Sequence, residues 1–251
     1  MTLTPLGAGS GAGSGGGSVS PAPSVSESPI PVPSQEPPLS TSPSAPPARF
    51  DTSALSIDEA TSLWVVVNKM RPLAPVDFVP DLVDPQVRYL SNPQMRPEAA
   101  SALAAMFAAA TAEGAGDLQI QNAYRSFETQ TSVHNRLVAS LGRDRAQAQS
   151  ARPGYSEHQT GLSLDIASLP EKCSIQACFA QTSQGGWLAA NSWRYGFVLR
   201  YPADKTAVTG YIFEPWHFRY VGPEAAAEMH RIGITTLEEF FGLPAAPDYA
   251  P

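Results

Sequence analysis

Two segments of the chain hold side chains from which a hydrolytic centre could be assembled. Ser156-Glu157-His158-Gln159-Thr160-Gly161-Leu162-Ser163-Leu164-Asp165 and, further on, Glu214-Pro215-Trp216-His217 together supply two imidazoles and two useful carboxylates. A catalytic zinc site asks for such a set: three ligands, one open position and a spare carboxylate to activate water. His158 and Asp165 lie seven residues apart. That is too long for one helical face but suits a loop residue followed by a strand residue, with Gly161 between them to let the chain turn tightly. His217 would be the third ligand. Glu214 precedes it by three residues and, if Pro215 and Trp216 turn, is better placed as general base than as ligand. Arg125 offers a rigid guanidinium fork for a substrate carboxylate or a developing oxyanion.

Each of these residues also has an ordinary reading. A lone histidine such as His158 or His217 is more often a hydrogen-bonded polar residue than a ligand, and His134 and His230 are read that way. Asp165 could cap a turn, Trp216 fill the core and Arg125 pair with a nearby acid. Spacing alone leaves a metal site and these alternatives about equally open.

The elements that must position these groups follow from pattern. Pro97 opens a helix running to about Glu113, stopped by Gly114, with Leu103, Met106, Phe107 and Ala110 as its apolar stripe. Leu118, Ile120 and Asn122 alternate with Gln119, Gln121 and Ala123 as a short strand. Ser126 caps a helix ending near Gly142, and a short helix follows over Asp144–Gln149. Leu162, Leu164 and Ile166 face the core from a strand, which puts Asp165 on its opposite face. Gln184–Tyr195 reads as a helix. Phe197–Arg200, Tyr211–Phe213 and His217–Val221 read as strands, with His217 and Arg219 on one face of the last. Pro223–Ile232 is a helix, and Thr235-x-x-Glu238 a capping box for a final one. Residues 57–70 open the folded part and 73–95, rich in Pro and Asp, wrap irregularly. Helices and strands do not alternate regularly, so the expected class is α+β, a small antiparallel sheet flanked by helices in a single domain.

Before that domain, Met1 to about Arg49 runs through Gly/Ser and then Pro/Ser blocks almost without charges or aromatics. Such a segment cannot bury enough apolar surface to offset its ordering entropy. Residues 1–50 are therefore expected to be a disordered tether, 51–244 the domain and 245–251 a flexible tail. A net charge of −7 without a basic run argues against nucleic acid as partner. No stretch approaches the ~20 apolar residues of a membrane span, and no basic and apolar export signal follows Met1. A tether ahead of a hydrolase domain still suggests an extracytoplasmic, secreted or surface-attached protein, acting as a monomer, with its export signal outside this sequence. Cys173 and Cys178 could close a small disulfide in an oxidising compartment. Free thiols are the alternative, and no further Cys or His close by favours a metal role.

The motifs also carry a resemblance. SEHQTGLSLD resembles the SxHxxGxxxD motif, and EPWHFRYVG the ExWHxR motif, of the VanY-type zinc D-alanyl-D-alanine carboxypeptidases. These are grouped with the D-Ala-D-Ala dipeptidases and hedgehog-like zinc domains. YRSFETQ is similar to the family's YRSxxxQ segment, and VVVNKMRPLAPVDFVPDL to its NKxxPL stretch. The likeness covers about residues 57–241; Phe127 replaces a frequent Tyr and Ser163 a frequent Ala, neither a ligand. It implies that His158, Asp165 and His217 bind one zinc ion and that Glu214 is the base. Arg125, Gln130 and Ser156 would hold the peptide terminus, with Trp216 lining the pocket. It further implies peptidoglycan stem peptides as substrate, cut at the terminal D-Ala; family members also act as L,D-carboxypeptidases or L-Ala–D-Glu endopeptidases. A wall-binding module with structural zinc is the non-enzymatic alternative, and it would want a fourth protein ligand.

Overall fold

The computed structural model describes residues 50–250, together with Gly16 and Ser20; the expected tether at 1–50 falls almost wholly outside these. In chain order the elements are α1 (Pro97–Ala112), β1 (Asp117–Asn122), α2 (Phe127–Leu141), α3 (Arg143–Gln147), β2 (Ser163–Leu169), α4 (Ser183–Asn191), β3 (Phe197–Leu199), α5 (Thr206–Thr209), β4 (His217–Tyr220), α6 (Pro223–Ile232) and α7 (Leu237–Phe240). The class is α+β, as expected.

Four strands form one antiparallel sheet in the order β1-β2-β4-β3. β2 is central and buried on both faces. Leu162, Leu164 and Ile166 join Phe218, Tyr220 and the Leu103, Met106 and Phe107 stripe of α1 in the main core. Because side chains alternate across a strand, Asp165 projects from the other face. The register pairs Asp165 with both Asn122 and His217. Three neighbouring strands thus set Asn122, Asp165 and His217 in one row. The β1–β2 register shifts between Ile120 and Asn122, and such irregularities re-aim a side chain next to a functional site.

Local signals account for most boundaries. α1 begins on Pro97 and runs into Gly114 at φ 80°. The Ser126 hydroxyl caps α2 by accepting from the Thr129 N–H. Residues 184–195, expected as one helix, divide into α4 and a 3-10 turn at Ser192–Tyr195. Tyr211–Phe213 is not a strand. Its backbone donors go to two different segments, Ile212 N to the Ala148 carbonyl and, just after, Glu214 N to that of Tyr201, so no ladder forms. The cap of α7 is Thr236, accepting from Glu239 N, rather than Thr235. Glu238, the expected capping acid, turns inward to Arg200 and Asn68 instead.

The expected flexible tail also needs correction. Ala246 is fully buried and its N–H bonds the Val208 carbonyl at 2.7 Å. The Tyr249 hydroxyl accepts from Arg152 N at 2.8 Å, while the Arg152 guanidinium lies 4.0 Å from the ring centroid. An aromatic and a cation at the right separation hold the chain end down.

Candidate metal centre

His158 sits on a 3-10 turn, Glu157–Thr160, ended by Gly161 at φ 69°. A Cβ on Gly161 would lie 3.0–3.2 Å from Leu82, Arg96 and Pro80 side-chain atoms, so conformation and space both favour glycine. The His158 ring is oriented by Nδ1, 2.7 Å from the Ala123 carbonyl. A neutral imidazole in that contact donates from Nδ1 and leaves Nε2 as its lone-pair nitrogen. Nε2 lies 3.5 Å from Asp165 Oδ2, and His217 Nδ1 lies 3.3 Å from Asp165 Oδ1. One donor atom from each of the three residues falls within 4.8 Å of the others, and all three residues are buried.

A zinc tetrahedron with bonds of about 2.0–2.1 Å separates its ligand atoms by roughly 3.4 Å, the spacing of these contacts. Asp165 Oδ1 is buried without a hydrogen-bond partner, and an orphaned buried carboxylate oxygen asks for a cation. Burial opposes charge on Asp165, but His158 and His217 outweigh it and hold the carboxyl below its usual range. Burial and Arg125 push His158 down, which favours the neutral, ligating form. His217 goes the other way: burial is overcome by Asp165 and Glu157, which raise it to about 9. A dication would answer the same concentration of negative charge. The donor set therefore fits zinc.

Glu214 accepts the His217 N–H at its carbonyl, 3.0 Å, closing the expected turn over Pro215 and Trp216. Its carboxylate lies 3.7 Å from His217 Nδ1. Burial pushes the Glu214 pKa up to about 8, with His217 opposing. A carboxyl poised near neutrality suits proton transfer. Arg125 donates to Gln130 Oε1 at 2.8 Å and to Asn122 Oδ1 at 3.0 Å, and approaches Asp165 Oδ2 at 3.8 Å. Its guanidinium is thus aimed beside the three converging donors.

Arg125, Ser156, Trp216 and Glu214 border one cleft of about 480 Å³ with the three converging residues. Gln130 does not border it. It is fully buried behind Arg125, and its amide also donates to Ser150 Oγ and the Ala151 carbonyl. The resemblance assigns it to the peptide terminus; here it braces the guanidinium.

Sequence reasoning passed over four residues that support the centre. Asn122 donates to Asp165 Oδ2 at 2.6 Å while accepting from Arg125, joining the two. Glu157 Oε2 faces His217 Nε2 at 3.6 Å, and Glu157 Oε1 accepts from Arg200 at 2.8 Å and Arg219 at 3.1 Å. Glu157 lies inside the histidine motif, and Arg219 is the arginine of the ExWHxR match and shares the face of His217; these were the signals available. Cys173 and Cys178 form the expected disulfide, their Cα atoms 5.6 Å apart.

Comparison with known proteins agrees with this geometry. The family described as VanY, D-alanyl-D-alanine carboxypeptidase, matches residues 92–223. The Bacillus subtilis protein YodJ, which bears a carboxypeptidase name, is 38% identical over 192 residues, 74% of this chain and 69% of that one. The structure of the LdcB LD-carboxypeptidase superposes with a TM-score of 0.67 at 38% identity, covering 73% of this chain and 87% of that one. A vancomycin-resistance D,D-pentapeptidase, solved in complex with Zn(II), gives 0.60 at 34% identity, covering 72% and 98%. By these measures the chain belongs to the VanY family of D-alanyl-D-alanine carboxypeptidases.

Proposed function

We propose that this protein is a zinc-dependent carboxypeptidase that removes the C-terminal D-alanine of peptidoglycan stem peptides. The observation that carries this reading is the convergence of His158, Asp165 and His217 beside a near-neutral Glu214 and the braced Arg125, in one cleft. Family membership supports the peptidase class.

His158, Asp165 and His217 would hold one zinc ion, which when bound supplies Lewis acidity and lowers the pKa of water to about 7. Glu214 accepts the proton of the attacking water and delivers it to the leaving amine. Arg125 receives the substrate carboxylate through its fork, and Asn122 and Gln130 hold that fork in place. Ser156 and Trp216 shape the wall against which the terminal residue lies. The domain acts outside the cytoplasm as a monomer, with the segment before Phe50 as its tether; Phe50 itself packs against Trp64 and Phe240. Among the described residues, no helix is long and apolar enough to cross a membrane.

Release of alanine from matched tri-, tetra- and pentapeptides, with chelator and after zinc is restored, tests this. D-alanine should appear from the pentapeptide, stop with chelator and return with zinc. Release from the tetrapeptide alone would favour L,D-carboxypeptidase action, the reading that likeness to the LdcB structure supports. No release in any arm would leave the wall-binding alternative.

A further inference from the structure

The Cys173–Cys178 disulfide closes a small ring a few residues beyond β2. Three residues inside it, Ile175, Gln176 and Ala177, line the same cleft as the three converging donors. No hydrogen bond or ion pair among the described residues joins the ring to His158, Asp165, His217, Glu214 or Arg125. The ring therefore borders the cleft without taking part in the arrangement that serves the reacting bond.

Ile175 is unusual in two independent ways. It is an apolar side chain left 44% exposed. It is also β-branched and sits at φ 52°, in the left-handed region, with Cys173 two residues earlier at φ 55°. Branched residues avoid that region unless the surroundings impose it, and imposed conformations cluster at ligand-gripping sites. Here the ring imposes it. The disulfide fixes both ends, Gln176 N bonds the Cys173 carbonyl at 3.2 Å, and Phe179, fully buried, anchors the exit through its N–H to the Gln176 carbonyl at 2.9 Å. Asparagine or glycine would meet the backbone requirement more cheaply. The backbone therefore does not account for an exposed isoleucine there.

A peptide whose terminal carboxylate meets Arg125 and whose last bond lies at the metal ligands occupies only part of a cleft of about 480 Å³. Its preceding residues must run along the remaining wall. We propose that the 173–178 ring is a specificity element and that Ile175 makes apolar contact with stem-peptide residues preceding the scissile bond. This rests on the carboxypeptidase reading above. Binding energy from such a remote contact discriminates peptides by length and sequence rather than by the bond cut.

The test uses Ile175→Gly and Ile175→Asn in the full chain, both of which relieve the backbone conformation and so should fold. The probes are the D-alanine-terminated pentapeptide stem and its N-acetylated C-terminal dipeptide. The ratio of kcat/KM, long peptide over short, should fall about 10-fold in both variants, through KM, with thermal midpoints at or above the parent's. The double variant Cys173→Ala/Cys178→Ala should lower the same ratio by loosening the ring. A ratio within twofold of the parent's in all three variants overturns the proposal. A parent that releases no amino acid from either probe overturns the carboxypeptidase reading, and this one with it.

Discussion

Replacing the Glu214 carboxylate by an amide keeps the shape of the cleft wall and removes its ability to accept a proton. Glu214→Gln should lower kcat by about 10²–10⁴-fold while zinc content, measured by metal analysis, stays at one per chain. His217→Ala should do the reverse in order of cause: zinc is lost, and activity with it. The pH profile separates the roles further. Glu214 must be ionised to act, so kcat/KM should rise as pH climbs through its pKa. Burial raises that value to about 8, and a dication nearby lowers it. The acid limb is therefore expected no higher than about 8. A kcat/KM that falls as pH climbs from ~4 to about 8 would contradict the assignment. At this scale much of the centre was legible, because His158, Asp165, Glu214 and His217 lie in two short segments with recognisable chemistry. The burial of Gln130 behind Arg125 was not legible, since nothing in its neighbours announces it. Asn122 and Glu157 were missed because the partners that tie them to the centre, Asp165 for Asn122 and Arg200 and Arg219 for Glu157, are 43 or more residues away in the chain.

Between elements, the most consequential contacts are the buried charges that tie the histidine turn, the end of β3, β4 and α7 together. Arg200 meets Glu157 at 2.8 Å and Glu238 at 2.9 and 2.8 Å, all fully buried. Removing one partner of such a pair leaves an uncompensated charge and costs about 3–5 kcal/mol. Glu238→Ala should destabilise the protein by that amount in urea unfolding, although Glu238 touches no proposed ligand. Burial alone would raise both glutamates, but Arg200 outweighs it and holds them below their usual range. Carboxyls depressed in the folded state contribute stability that is fully present above the unfolded value of ~4.3 and lost as pH falls through the folded one. The thermal midpoint should therefore decline as pH drops below about 4, and less steeply in Glu238→Ala. Helices α1, α2 and α6 were legible from Pro97, Ser126 and Pro223, whose effects are local. The strand expected at 211–213 and the cap expected at Thr235 failed for the opposite reason. A strand exists only by its partner, and the choice between adjacent threonines was settled by Arg200, distant in sequence.

For the whole molecule, the low-complexity segment and the metal make separate demands. A chain beginning at Phe50 should keep the kcat and KM of the full chain, because residues 1–49 hold only scattered apolar side chains and no aromatic ones; a large fall in kcat would show that the segment supports the domain. Chelation should lower the thermal midpoint, since a ligand that binds only the folded state at 1,000 times its Kd stabilises by about 4 kcal/mol. Restoring zinc should return the midpoint to its starting value in a scanning calorimeter. Truncation after Leu243 is a further contrast. It removes Ala246 and Tyr249 from their contacts with Val208 and Arg152, so it should destabilise, where removal of a loose tail would not.

If the three donors take zinc as proposed, the row of Asn122, Asp165 and His217 across three strands makes metal uptake a check on the register of the sheet. A one-residue slip of β2 would turn Asp165 into the apolar layer and Leu164 toward the histidines. A chain paired in the wrong register has the same composition and nearly the same secondary structure, yet it cannot gather the three donors. Zinc would then select correctly threaded molecules from misthreaded ones during maturation, and a measured metal stoichiometry would count the properly folded fraction of a preparation directly.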